Sequence, residues 1–363
     1  MQDSPPAPHT TADDIIARAR RIRGRRTAAA VAGGVVASIA LAATAVTGLA
    51  APTTRGHQAA GPPVGPSASA AAPVSSAAPI QPTDFSTNLV DYRVGRYRIG
   101  PVGQVAPGYQ EVPVYLDGQT WEDDGVKYPL NQATITVYRP GVYDPTTFGG
   151  GGDDTLIIGA PYEVQVAGKS GIGRDMMFVS PVEPGRKWVR AALAWEYAPN
   201  AWATLIPGYG AADLPRADVA KIAAGFTKGN RRELRVPYRF GFLPDGWRPV
   251  AVTQNGDKIS SEVSQVYLHN GPLTESAASK IDEVFPHSVV LTVSKGESKD
   301  SIPAKDGLYC YTGRPPCVVV QGKYRVGVTA VDGALPDADV KRIAQGLQLV
   351  DLADQTTWVP LKH

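Results

Sequence analysis

Two cysteines, two histidines outside the tails and linker, and one Gly-Lys-Ser triplet are the residues from which chemistry would have to be built. Cys310 and Cys317 flank Tyr311-Thr312-Gly313-Arg314-Pro315-Pro316. In an oxidising compartment two cysteines this close predict a disulfide closing a hairpin-like loop, stabilising by about 2–3 kcal/mol on the chain-entropy account. The spacing is not that of a Cys-x-x-Cys dithiol, and no nearby histidine completes a zinc site. Gly168-Lys169-Ser170 has the ending of a phosphate-binding loop, but that loop needs a glycine where Glu163 stands. A hairpin turn is the better reading, because Gly322-Lys323 follows a comparable strand. The acidic turns Asp123-Asp124 and Asp153-Asp154 lack the alternating oxygen ligands of a calcium loop.

Histidine is scarce. His9, His57 and His363 lie in tails or linker, which leaves His269 and His287. No Gly-x-Ser-x-Gly elbow and no His-Glu-x-x-His run occurs. No catalytic residue, cofactor or metal is therefore expected. The enzymatic alternative, an extracellular enzyme on wall polymer or peptide, would need Asp, Glu, His269 or His287 to converge in a cleft, for instance between the two units described below. Aromatics are better supplied: Trp188, Trp195, Tyr197, Trp202 and Tyr209 crowd one part of the chain. Exposed, they suit glycan or peptide binding; buried, they are core, the commoner fate of large aromatics.

The elements that must position these residues begin with residues 27–50, which carry no charge and are long enough to cross a bilayer as a helix. Arg18, Arg20, Arg21, Arg23, Arg25 and Arg26 precede them and predict a cytoplasmic N-terminus and an extracellular remainder. The expected layout is a cytosolic tail over 1–26 with a short amphipathic helix, a transmembrane helix over 27–50, an Ala/Pro/Ser-rich linker over 51–83, and two extracellular units over 84–229 and 230–352. A C-terminal tail follows over 353–363. The alternative is an export signal cleaved near Ala50, which leaves a secreted protein. Ala30, Gly34, Ser38 and Ala42 follow at four-residue spacing, as in close-packed helix dimers. The net charge of +2 owes to the arginine cluster, so a nucleic-acid partner is not expected. The expected partners are a lipid bilayer, a wall or protein ligand outside, and a second copy through the transmembrane helix.

The outer part reads as an internal duplication. Leu214–Phe226 and Leu335–Leu347 are identical at eight of thirteen aligned positions. Val219, Ile222, Ala223 and Phe226, like Val340, Ile343, Ala344 and Leu347, fall on one face of an amphipathic helix. Tyr97-Arg98-Ile99-Gly100 and Tyr238-Arg239-Phe240-Gly241 correspond in the same way. Strands are expected over 133–138, 162–166, 188–194 and 201–206, then over 264–269, 288–293, 318–320 and 324–330. The expected class is α+β, with two tandem units, each an antiparallel sheet carrying one C-terminal helix. Thr227–Glu233, polar and charged, marks the boundary between them.

With its Arg-rich start, Ala-rich apolar run, Pro/Ser/Ala spacer and Asp-Val-x-x-Ile-Ala-x-Gly helices, the chain resembles single-pass envelope proteins of high-GC Gram-positive bacteria. Its units resemble the ectodomain modules attached to anti-sigma-factor-like membrane proteins, although the tail carries no sigma-binding domain. The resemblance implies a membrane-anchored sensory or binding module without catalysis, or a structural wall-associated protein, and no transferable catalytic residue.

Overall fold

A computed structural model describes residues 85–361, apart from 124, 150–155, 180–186, 209–213, 256–261, 274–286, 296–304 and 311–316. The strands are, in chain order, β1 (Ser86–Leu89), β2 (Tyr92–Val94), β3 (Tyr97–Ile99), β4 (Gln104–Val105), β5 (Tyr109–Asp123), β6 (Val126–Tyr138), β7 (Leu156–Ile158), β8 (Tyr162–Val166), β9 (Lys169–Val179), β10 (Lys187–Ala198) and β11 (Ala201–Pro207). After helix α1 (Arg216–Ala224) come β12 (Lys228–Glu233), β13 (Arg235–Val236), β14 (Tyr238–Phe240), β15 (Arg248–Gln254), β16 (Glu262–His269), β17 (Val289–Lys295), β18 (Gly307–Cys310), β19 (Cys317–Gln321) and β20 (Tyr324–Ala330). Helix α2 (Asp337–Gln345), β21 (Leu347–Leu349) and β22 (Val359–Pro360) complete the described chain.

The expected α+β class is corrected: the described residues are mostly β. Two nine-residue helices stand against twenty-two strands. The strands of both halves also share one sixteen-stranded sheet instead of forming two. The join is a short antiparallel ladder, in which Val105 faces Val252 and Gln104 faces Thr253 across β4 and β15. From that join the order runs outward as β4-β5-β6-β11-β10-β9 on one side and β15-β16-β17-β20-β19-β18 on the other. In both directions the strand that feeds a helix, β11 or β20, takes the fourth place. The two halves are thus laid edge to edge, with the same strand order running outward on either side of the join.

The membrane expectation is corrected as well. No helix among the described residues is long and apolar enough to cross a membrane; nine residues rise only about 14 Å, half of a bilayer core. The proposed span over 27–50, its flanking arginines from Arg18 to Arg26 and the small-residue stripe from Ala30 to Ala42 lie outside the described residues. The single-pass placement, with its cytoplasmic N-terminus, is withdrawn on this finding. The exported alternative does not depend on a membrane-crossing helix.

One face of the sheet carries the main core. Val219, Ile222 and Ala223 of α1 and Val340, Ile343 and Ala344 of α2 are buried in the same apolar cluster, with Leu193, Trp195, Leu205, Leu291 and Val326 beneath them. Pro215 and Pro336 hold the extended entry to each helix, and Asp218 and Asp339 complement its first turn. The closing glycines, Gly225 and Gly346, have ordinary negative φ, near −80°. Glycine is required there by close approach: a Cβ would stand 2.9 Å from the Tyr92 ring at Gly225 and 3.0 Å from Phe242 at Gly346. Each helix is also held by an arginine stacked on a ring, Arg216 over Tyr162 at 3.9 Å and Arg342 over Phe242 at 4.0 Å. Arg216 further pairs with Asp175, which holds that carboxyl below the usual carboxylate range.

The segment between the halves is bound by both ends of the described chain. β12 pairs with β1, β13 with β22 and β14 with β21, all antiparallel. The strands meet at Leu234, whose N–H donates to the Phe85 carbonyl at 2.8 Å and whose carbonyl accepts from the Leu361 N–H at 3.4 Å. Leu234, Val236, Tyr238, Trp358 and Leu361 are buried in the main core, so this clasp is part of the folded unit.

Candidate functional site

The residues singled out in the sequence are not gathered into one site. Register separates the aromatics. Trp195 stands opposite Ala203 and Leu193 opposite Leu205, so Trp195 and Tyr197 share the helix-covered face, where both rings contact Phe226. Trp202 stands opposite Glu196 and so lies on the reverse face, packed with Trp188 against Phe148, Met176 and Phe178. Trp195 is buried and the other three are half-buried. Tyr197 is already engaged: its hydroxyl donates to the Tyr138 carbonyl, and the Lys228 ammonium sits 4.8 Å from its ring centre. Tyr209 lies outside the described residues.

His269 and His287 come together, but through backbone: His269 Nδ1 lies 3.2 Å from the His287 carbonyl oxygen. Burial, then the nearby charges of Arg248 and His287, depress the His269 pKa against that hydrogen bond. Among the described residues no group of three His, Cys, Asp or Glu side chains could hold a metal ion. The junction of the two halves is a backbone ladder. Cys310 and Cys317 face each other across β18 and β19 and form a disulfide. Of Gly168-Lys169-Ser170, Lys169 and Ser170 open β9 and Gly168 belongs to the tight turn before it, in which Ala167 and Gly168 have φ of 49° and 79°, the left-handed pair of a two-residue hairpin. Asp123 ends β5, and Asp153 and Asp154 fall outside the described residues.

The surface feature that stands out was read in the sequence only as a boundary. Every residue of β12 is exposed, although the strand pairs with β1 through Glu233–Ser86, Arg232–Thr87 and, past a register shift, Lys228–Leu89. Arg231, Arg232, Glu233 and Arg235 line an open concavity of about 530 Å³. Strand alternation puts Arg231, Glu233 and Arg235 on one face of the extended run, with Leu234 turned into the core between them. Two of the arginines are anchored: Arg231 Nε donates to Ser86 Oγ at 3.0 Å, and Arg235 Nη1 donates to the Trp358 carbonyl at 3.0 Å. The Arg232 guanidinium and the Glu233 carboxylate carry no hydrogen bond or ion pair among the described residues. The signal was present in the sequence as the two-residue spacing of Arg231, Glu233 and Arg235, a strand period that polar residues disguised.

No family model and no curated protein matches the chain. Among solved structures, a complex of MucB with MucA(peri) is 13% identical over 70% of this chain and 93% of that one, with a TM-score of 0.20. The Pseudomonas aeruginosa MucA/MucB complex is 13% identical over 73% of this chain and 93% of that one, with a TM-score of 0.18. This is a weak structural resemblance, it assigns neither fold nor partner, and nothing in it points to Gram-positive bacteria.

Chemically, the concavity offers three guanidiniums and one carboxylate on a backbone fixed by strand pairing. Guanidiniums bind carboxylates or phosphates in paired hydrogen bonds, and those of Arg231 and Arg235 are oriented before any ligand arrives, which lowers the ordering cost of binding.

Proposed function

We propose that this protein is an extracytoplasmic binding module without catalytic activity, and that it takes an acidic ligand on the concavity formed by Arg231, Arg232 and Arg235. The observation that carries the reading is the row of exposed arginines, two of them pre-oriented by Ser86 and Trp358, around a concavity of about 530 Å³. The extracytoplasmic placement is supported by the Cys310–Cys317 disulfide, since such bonds persist in oxidising compartments.

The reading is tested by anisotropy titration of the full chain with a fluorescent peptide rich in Asp and Glu. Arg232→Gln removes a guanidinium that carries no hydrogen bond or ion pair among the described residues, and is expected to weaken binding about tenfold, with the thermal midpoint followed alongside to separate loss of the site from loss of the fold. Raising salt should weaken binding of the parent protein more than that of the variant. Equal affinity for parent and variant, or affinity that ignores salt, overturns the site.

A further inference from the structure

The two halves differ at the outer margins of the sheet. In the first half β9 and β10 pair at nine positions, from Lys187 opposite Val179 to Trp195 opposite Gly171. Two further strands, β7 and β8, then pair with the other side of β9. In the second half the strands in the same places, β18 and β19, pair at four positions, from Gly307 opposite Val320 to Cys310 opposite Cys317. No further strand among the described residues flanks β18. Of its residues, Leu308 packs against the main core, and only in part. So short an edge strand opens more readily than the interior of a sheet. The two cysteines of the chain sit at this margin, and their disulfide ties the last residue of β18 to the first of β19.

We infer that the Cys310–Cys317 bond is a redox-reversible latch, which a dithiol reductant opens in the folded protein to release β18 from the sheet. The two sulfurs are unequally placed: Cys310 is exposed, whereas Cys317 is buried. Exchange needs a thiolate to reach one sulfur, so the attack falls on Cys310. The thiolate of the reductant bonds to the Cys310 sulfur, the disulfide breaks, and Cys317 leaves as a thiolate and takes a proton. The second thiol of the reductant then displaces Cys310. The protein gains two thiols and the dithiol becomes a disulfide, a transfer of two electrons and two protons. Once untied, β18 keeps only its four ladder positions and the partial burial of Leu308. Its release uncovers the edge of β19 at Val318, Val319 and Val320, of which Val318 and Val320 are buried while β18 is in place. The change is felt by α2, which lies over β19 and β20 and touches β18. The first half, with its longer hairpin and two flanking strands, stays as it is.

The test treats the full chain with dithiothreitol under native conditions and traps the new thiols with N-ethylmaleimide for mass measurement. The rate of reduction is expected to rise in proportion to dithiothreitol concentration, as it must when the exposed sulfur is attacked directly. A rate that levels off at the rate of global unfolding overturns the latch. Hydrogen–deuterium exchange then locates the consequence. In the reduced chain the amides that bond β18 to β19 should exchange about fiftyfold faster, the loss expected for untying so short a loop, while those of α1, β9 and β10 stay within about twofold. The double variant Cys310→Ser/Cys317→Ser should give the same local pattern without reductant. Unchanged exchange in β18 and β19 overturns the inference, since the strand would then hold without the bond. Exchange that rises equally throughout the chain overturns it as well, because the bond would then be a staple of the whole fold.

Discussion

Trp358→Ala is expected to lower stability by about 3–5 kcal/mol, the range for truncating a fully buried large aromatic. Trp358 is 1% exposed and belongs to the main core, and it sits just before β22, the strand that closes the clasp on β13. Its indole Nε1 is buried without a hydrogen-bond partner. That orphan donor sets the contrast with Trp358→Phe, which keeps an aromatic ring and removes the unmet N–H. The desolvation penalty recovered, about 1–3 kcal/mol, offsets much of the lost contact, so Phe should cost no more than about 1–2 kcal/mol. Urea unfolding of the three proteins decides it. An alanine variant within 1 kcal/mol of the parent would mean that the C-terminal segment does not contribute to the core. The alanine variant should also weaken ligand binding, because the Trp358 carbonyl holds Arg235.

The second large effect concerns the two helices. Ile222 in α1 and Ile343 in α2 occupy equivalent places in the duplicated runs, and both are fully buried. Each, changed to Ala, should cost about 2–5 kcal/mol. The shape of the transition is more telling than the size. Both residues lie in one apolar cluster, over a sheet continuous through β4 and β15. Either variant should therefore shift one common transition, followed equally by far-ultraviolet circular dichroism and tryptophan fluorescence. Two separable transitions, with only the mutated half moving, would show that the halves fold as independent domains joined by a weak ladder.

Much of the local structure could be read from residue pattern. A strand is found at each of the eight apolar runs marked in the sequence, and a helix at each of the duplicated Asp-Val-x-x-Ile-Ala segments. Period-two and period-3.6 patterns carry that information locally. Two things were not local. The fusion of the halves rests on Gln104–Val105, a two-residue strand with no pattern of its own, whose partner Val252–Thr253 lies far along the chain. Without it, two helix-bearing units look like separate α+β domains. The clasp was missed for the opposite reason: Lys228–Glu233 has no apolar face, since its six residues are exposed and it is held by backbone pairing with β1. Strand prediction looks for a buried face, and here there is none. The aromatics illustrate a third limit. Trp195 and Trp202 are close in sequence, but the turn between β10 and β11 sets them on opposite faces, and only register reveals it.

The central claim is that ligand recognition is concentrated on the clasp between the halves. The most direct measurement is hydrogen–deuterium exchange of the full chain with and without the Asp- and Glu-rich peptide. Protection confined to residues 228–236 and to the flanking strands β1 and β22 is the predicted result. Protection at the Trp188–Trp202 face or around His269 and His287, with residues 228–236 unchanged, would contradict it.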